Sequence, residues 1–415
     1  MVRGWWLVVG GSWFRAGGQI RRSGLQPVSR FHILITSHGP RTTNHEPLRS
    51  MKSWDAIIIG GGVIGLSLAI SLRKDGLRVL VVERGEPGRE ASWAAAGMLV
   101  GSGLEMPSAL HGLAAESAGM YPEFVHELED ESGLKIDFRG HGTIIISREP
   151  LFPARAEPLT DEKVRGIEPA IQLSGQDRKA AYVSERSVDP RSLMAALMKA
   201  ARHRGVDISS GSEAQSVLTE SGQITGVRSD KTAYSAPVVI NCAGAWAGRL
   251  GPQTFPVRPV KGQMLAVVGG PVIEHVIRGD DVYLVPRSDG RIVIGSTLED
   301  AGFNKQVEVA TIQRLFQLAQ QLVPELANSR EHEDWAGLRP GTPDELPILG
   351  ATSTPGYFIA SGHYRDGILL APITAQVLAA LVLNRAPSFD LEPFRPARFP
   401  ASIHHGGTET RRRAV

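Results

Sequence analysis

The sequence predicts an α/β protein in which a doubly wound, Rossmann-like dinucleotide-binding domain is interleaved with a domain built on an antiparallel sheet. Three observations predict it. An apolar run, Ile57–Ile59, is followed at once by Gly60, Gly62 and Gly65 in the spacing G-x-G-x-x-G. Stretches such as "SLMAALMKAARHRGVDI" and "YSAPVVINCAGAWAGRL" alternate helix and strand, the pattern of a parallel sheet covered by helices. Between Val257 and Ile294 the texture changes to short apolar runs broken by turn residues such as Ser288, Asp289 and Gly290, which read as antiparallel strands.

In chain order, Ile57–Ile59 is a buried parallel strand. Gly60 permits the tight turn after it, Gly62 lets the backbone approach a pyrophosphate, and Gly65 lets the following helix, Leu66–Lys74, pack close to the strand. A second strand over Leu77–Val82 ends on Glu83, whose carboxylate can accept hydrogen bonds from ribose hydroxyls. A lone G-x-G-x-x-G is weak; this one has its strand, its helix and its acid in place. The choice between NAD and FAD rests on "RGEPGREASWAAAGML", where small residues continue well past the second strand. That length suits the longer cradle of a flavin dinucleotide; the bland alternative is a loop leading into an Ala-rich helix. A helix over Glu308–Leu322 follows the antiparallel region, and "GYFIASGHYRDGILLAPITAQVLAALVL" reads as a strand, a Gly-punctuated loop and a long helix. In "WAGLRPGT", Arg339 sits between Gly337 and Pro340 and is expected on a stiff turn.

These elements divide the chain as follows: 1–52, a disordered leader or mis-called start; 53–105, 189–251 and 334–385, the nucleotide domain; 106–188 and 252–333, the second domain; 386–415, a C-terminal tail. Residues 1–50 carry Arg3, Arg15, Arg21, Arg22, Arg30, Arg41 and Arg49 against the single acid Glu46, and translation from Met51 is the expected start. Setting those aside from 45 basic and 43 acidic residues leaves 38 against 42, a mildly acidic body with no nucleic-acid surface. The one cysteine, Cys242, excludes an intrachain disulfide and fits a reducing, cytoplasmic setting. It lies in an apolar run and reads as a buried, inert thiol. No segment reaches the ~20 apolar residues of a membrane helix, so no integral membrane contact is expected. The 12 histidines are scattered without metal-ligand spacing.

Together, "IIIGGGVIGLSLA", "ASWAAAGML", "NCAGAWAG", "PVKGQM", "YLVPRSDGRIVIGST", "WAGLRPGTPDELPILG" and "GHYRDGILLAP" make the chain from Met51 to about Arg398 resemble the glycine oxidase branch of the D-amino-acid oxidase family of flavoproteins. The resemblance implies FAD contacts at Val63, Ile64, Glu83, Arg84, Ala91, Ser92, Ala96, Gly97 and Met98. It also implies a backbone contact near Ala214, and a loop of contacts through His363, Tyr364, Arg365, Asp366, Gly367, Ile368 and Leu369. The same loop would place a helix N-terminus at the pyrimidine edge of the flavin. Arg339 and Tyr283 would hold a substrate carboxylate, with Arg365 as a third substrate-side group. The segment "SREPLFPARAEPLTDEKVRGIEP" looks shorter than its family counterpart, and Leu298 stands where glycine oxidases can carry Met. A covalent flavin would need a cysteine in the C-terminal third, and there is none, so non-covalent FAD is expected.

The implied reaction is oxidation of glycine and other small amines or D-amino acids by O2 to the oxo acid, ammonia and hydrogen peroxide, supplying glycine imine for the thiazole of thiamine. The alternatives are a quinone-linked D-amino-acid dehydrogenase, which calls for an apolar or basic membrane patch, and a flavin-carrying partner subunit, which calls for loss of the carboxylate pair. A tRNA-modifying relative calls for a basic track that the body lacks. The expected partners are a small amino-acid substrate and O2, with homo-oligomerisation left open.

Overall fold

The computed structural model describes residues 6–9, 12–15, 53–399 apart from 102, 104, 105, 150, 151 and 174–176, and 402–403. The chain divides into Met1–Arg49 and Ser50–Val415. In the first, Trp6–Val9 pairs antiparallel with Ser12–Arg15; the rest of the expected leader, and the tail from 404 on, lie outside the described residues. All that follows concerns the second part.

Its principal elements begin with β1 (Ala56–Ile59), α1 (Val63–Lys74), β2 (Val79–Glu83), α2 (His111–Ser132), β3 (Thr143–Ser147), β4 (Lys179–Val183), α3 (Pro190–His203), β5 (Asp207–Ser210) and β6 (Val238–Asn241). They continue with β7 (Arg258–Val268), β8 (Val276–Arg278), β9 (Tyr283–Pro286), β10 (Ile292–Gly295), α4 (Val309–Leu322), β11 (Arg330–Gly341), β12 (Ile348–Ala351), β13 (Tyr357–Ser361) and α5 (Ala371–Val382).

The first sheet has the order β5-β2-β1-β6-β13-β12 and is parallel except for the last strand. Successive side chains of a strand face opposite ways. Ile58 and Val81 therefore meet the helical layer, where Leu66, Leu113, Tyr121, Leu197 and Leu378 form one core. Ile57, Ile59, Leu80 and Val82 meet a three-stranded ribbon over Ala214–Ser235 through Val227 and Ala236. Burial on both faces is why β1 is an unbroken apolar run. Helix α2, expected within 106–188 to join the second domain, packs into this core through Leu113, Ala114, Tyr121 and Leu128. Phe394, expected in a tail, is fully buried against the same helices.

The second sheet has the order β11-β7-β10-β9-β8-β3-β4 and then Glu157–Leu159, and only the β8–β3 pair is parallel. The segment thought to be trimmed carries that last strand and a short helix, Asp161–Ile167. One face of the sheet, with Leu265, Val267, Ile277, Leu284, Ile292 and Ile294, is covered by Ile312, Leu315, Ala319 and Leu322 of α4. The opposite face presents Met264, Tyr283, Val285, Val293 and Trp335. Sequence reading put Arg339 on a turn; the structure corrects this, because Arg339 lies within β11 opposite Val260. Pro340 is tolerated because β11 is the edge strand, where a missing N–H breaks no ladder. The boundary expected at 334 thus falls inside a strand of the second sheet.

A seam joins the two sheets. The one-turn helix Ala91–Ala94 lies on β11 so closely that a Cβ on Gly337 would stand 2.5 Å from the Ala94 Cβ. Trp335 Nε1 donates to Ala94 O at 3.0 Å, and buried Arg287 donates through Nη2 to Ala96 O at 2.6 Å. The Arg191 guanidinium sits 3.6 Å from the ring centre of Trp93 and 4.8 Å from that of Trp335.

The seam yields a paired prediction. Gly337→Ala forces a methyl into backbone-anchored Ala94 and should cost about 1–3 kcal/mol. Gly119→Ala, on the exposed side of α2 with nothing within 4 Å of the added carbon, should stabilise by about 0.5–1 kcal/mol. Chemical denaturation of both variants checks this; a Gly337→Ala protein as stable as the parent would show that the seam is slack.

Candidate functional site

A large cavity of about 700 Å³ runs from the glycine turn after β1, past the seam, to the open face of the second sheet. That volume lies in the range of ligand cavities. At its first end Gly60 has φ +108°, and a Cβ there would lie 2.4 Å from Cys242 O, so only glycine lets the turn pass β6. A Cβ on Gly65 would overlap Gly60 O at 2.0 Å, which fixes how closely α1 follows the turn. Helix α1 has no acid in its first turn, and its Ncap is Gly62 with no side chain to close it. The N–H of Val63 donates instead to Ser92 Oγ at 2.9 Å, tying the helix start to the loop after β2. The positive end of a helix dipole thus opens on the cavity, the setting for a pyrophosphate. Glu83 accepts from the N–H groups of Gly61 at 2.8 Å and Gly85 at 3.0 Å, which fixes its carboxylate at the end of β2. Arg84 is held against Glu90 and lies 3.6 Å over the ring of Trp246.

The expected dinucleotide contacts gather here. Gly60, Gly62, Val63, Ile64, Glu83, Arg84, Ala91, Ser92, Ala96, Gly97, Met98 and Ala214 all line the cavity. So do His363, Tyr364, Arg365, Asp366, Gly367 and Ile368. Gly65 and Leu369 do not: Gly65 serves the close packing of α1, and buried Leu369 gives its carbonyl to Ser117 Oγ at 2.6 Å. The helix expected to begin within "RDGILLAP" starts at Ala371, near the end of that stretch. Ahead of it Asp366–Leu370 form a turn, closed by Leu370 N–H donating to Asp366 O at 2.8 Å, and that turn is what the cavity meets. Burial pushes Asp366 up to about 6, although Arg365 pulls the other way. Burial also holds His363 down at about 3, so its ring is neutral and shares one hydrogen bond with Thr374 Oγ1 at 3.2 Å.

At the other end the floor is the open face of the second sheet, and glycines shape it. The Arg339 guanidinium lies across Gly262, where a Cβ would come within 2.3 Å of Nη1. It donates to Ser296 Oγ at 2.6 Å and Thr297 O at 3.2 Å. The Tyr283 phenol lies across Gly295, where a Cβ would come within 2.7 Å of the hydroxyl. Arg339 and Tyr283 come from strands three apart, yet their polar ends reach the adjacent residues Ser296 and Gly295. Arg365, on the loop above, lines the cavity and is exposed; it lies 5.1 Å from the ring centre of Tyr364. Leu298 stands at the rim, 56% exposed.

Several lining residues were not singled out from sequence. Cys242, Ala243, Gly244 and Trp246 line the dinucleotide end, at the carboxyl end of a parallel strand, where ligands of such sheets collect. That position was legible in "NCAGAWAG". Ser296 and Arg278 were not, because their place depends on strand register. Cys242 is buried, and burial pushes its thiol well above the usual range, in keeping with an inert group.

Residues 55–381 match the family described as FAD dependent oxidoreductase. The chain is 36% identical over 83% of its length to the bifunctional protein ThiO/ThiG of Trichormus variabilis, and spans only 55% of that relative. It is 33% identical over 85% of its length to the hydrogen cyanide synthase subunit HcnC of Pseudomonas aeruginosa, of which it spans 98%. Its fold is similar to the crystal structure of glycine oxidase from Geobacillus kaustophilus, with a TM-score of 0.78 and 31% identity, covering 84% of this chain and 99% of that one. A glycine turn and helix N-terminus that open on the cavity, a fixed acid at the end of β2 and a family match over 55–381 agree: this protein belongs to the FAD dependent oxidoreductase family, and FAD is its cofactor.

Proposed function

We propose that the protein oxidises glycine and other small amino acids at the FAD, with O2 as final acceptor. The observation that carries this reading is the meeting of the Arg339 fork and the Tyr283 hydroxyl over Gly262 and Gly295, in the cavity that also holds the dinucleotide turn. A guanidinium can grip a carboxylate by two parallel hydrogen bonds, and a phenol adds a third. With its carboxylate held, the substrate has one orientation, and positioning then supplies much of the rate. Bound FAD supplies a two-electron acceptor whose reducing equivalents pass to oxygen as hydrogen peroxide. Burial leaves His363 neutral and the Cys242 thiol protonated, and no side-chain base is required if the amine is neutral on binding. The product imine takes up water to give the oxo acid and ammonia. The likeness to glycine oxidase and to the ThiO/ThiG protein supports glycine as substrate, with the imine feeding the thiazole of thiamine.

The likeness to HcnC supports a second reading, in which glycine is oxidised further to cyanide. Product analysis with glycine separates the two: one peroxide and one ammonia per glycine are expected, and stoichiometric cyanide would replace the first reading by the second.

Arg339→Ala should spare fold and flavin but cost roughly 2–5 kcal/mol in transition-state stabilisation. At ~1.4 kcal/mol per decade this is on the order of 30-fold to several-thousand-fold in kcat/KM. Arg339→Lys should rescue only in part, since an ammonium lacks the two-point fork. The deciding quantity is kcat/KM for glycine divided by that for a carboxylate-free amine; a ratio unmoved by Arg339→Ala removes the carboxylate role.

The flavin should be held without a covalent bond. Acid precipitation is expected to release all yellow colour into the supernatant, and flavin retained on the pellet would contradict it.

A further inference from the structure

Arg278 is a further guanidinium of the cavity lining, one to which nothing above assigns a role. Arg278 ends β8 and faces Tyr283 directly across the β8–β9 pair. The cross-strand row continues from Tyr283 to Gly295 and from Gly295 to Met264. Directly opposite residues stand with Cβ atoms about 4.5–5.5 Å apart on one face of the sheet. Val276, two residues earlier in β8, lies on the open face, whereas Ile277 lies under α4. Alternation therefore turns the Arg278 side chain to the cavity, which it lines.

Arg278 is half-buried, and its Nη1 is a buried donor without a hydrogen-bond partner. Among the described residues no carboxylate forms an ion pair with it. The two acids of the adjoining hairpin loop, Asp280 and Asp281, are exposed and line the same cavity, but neither forms an ion pair with Arg278: Asp280 accepts from Arg148 N–H at 3.3 Å, and both act electrostatically on Arg178. A buried guanidinium donor without an acceptor is costly; Arg139, Arg191 and Arg287 carry one as well, but that of Arg278 belongs to a side chain facing the substrate end of the cavity, where a ligand can supply the acceptor.

We propose that Arg278 receives a second anionic group of the substrate, so that the preferred substrates are amino acids or secondary amines bearing a carboxylate beyond the one held by Arg339 and Tyr283. This rests on the amino-acid reading above and names its substrate class. The geometry supports one dianion spanning both cations. From Gly295, where the Tyr283 hydroxyl lies, two strand spacings of roughly 4.8 Å each lead to β8. An inward-reaching arginine shortens that gap to the size of a small dicarboxylate. Tyr283, between the two, serves as the divider that sets which carboxylate enters which grip. Arg278 is thus a specificity-determining residue; the Cα–H bond that breaks and the electron acceptor are those of the reaction already described.

The holoenzyme tests this in two ways. Binding of malonate and succinate, followed by perturbation of the flavin spectrum at constant ionic strength, should be about 10- to 100-fold tighter than that of acetate and propionate, the span of one charge-assisted hydrogen bond. Arg278→Met should bring the dianion-to-monoanion ratio close to one. In turnover, kcat/KM for iminodiacetate over sarcosine, and for D-aspartate over D-alanine, should show the same preference and the same collapse in Arg278→Met. Equal affinity for dianions and monoanions in the parent protein overturns the assignment even if the variant does not fold, and so does a preference that survives Arg278→Met. If glycine is oxidised but dianions hold no advantage, Arg278 alone has been misread. If no amine reduces the flavin and no carboxylate perturbs it, the amino-acid reading falls together with the Arg278 assignment.

Discussion

Everything about the site depends on how closely the turn Ala91–Ala94 lies on strand β11. With no side chain at Gly337, the Ala94 methyl lies directly on the strand, and Trp335 and Arg287 lock the contact by donating to Ala94 O and Ala96 O. The loop that closes the dinucleotide cradle is therefore part of the wall of the substrate floor. A buried arginine such as Arg287, which burial shifts toward losing its proton while Asp189 holds the charge, resists displacement because its carbonyl partners would be left unsatisfied. One close contact thus fixes the dinucleotide end of the cavity, on the first sheet, against its other end on the second.

The floor uses glycine for a different purpose. At Gly262 and Gly295 the missing side chains are replaced by the Arg339 guanidinium and the Tyr283 ring lying flat on the sheet. Both polar ends are thereby held low and preset, with the Arg339 fork oriented by Ser296 Oγ and Thr297 O before any substrate arrives. A preset receptor loses less freedom on binding, which is the economical way to turn ionic contacts into orientation. The same flat arrangement leaves the row open at its far end, where Arg278 stands opposite Tyr283.

The family likenesses and the geometry speak to different questions. Membership of the FAD dependent oxidoreductases follows from a match over most of the body. On the reading proposed above, which amine fits rests on a few side chains of the cavity, Leu298 at its rim and Arg278 in its wall among them, and not on the fold, since sites are grafted on folds.

The dinucleotide half was legible in the sequence because its determinants are local. Gly60, Gly62 and Gly65 follow one strand and open one helix, Glu83 ends the next strand, and both strands and α1 lie within a few residues of the expected bounds. Helix α4 was legible for the same reason, its apolar period lying in one stretch. The substrate half was not. Arg339 read as a turn residue because glycine and proline flank it, whereas pairing along β7 makes it a strand residue and the sheet edge makes Pro340 harmless. The stretch that forms helix α2 was assigned with 106–188 to the second domain, whereas it packs against the helices of the first sheet, because sequence order does not name the surface a segment will cover. The place of Arg278 was invisible because it needs the register of β8 on β9 and the knowledge that α4 takes the other face. By itself the sequence determined the dinucleotide turn and the strands and helix around it, which short-range geometry dictates; only the tertiary structure decided which cations share the far end of the cavity, because long-range strand pairing selects the face on which each side chain stands.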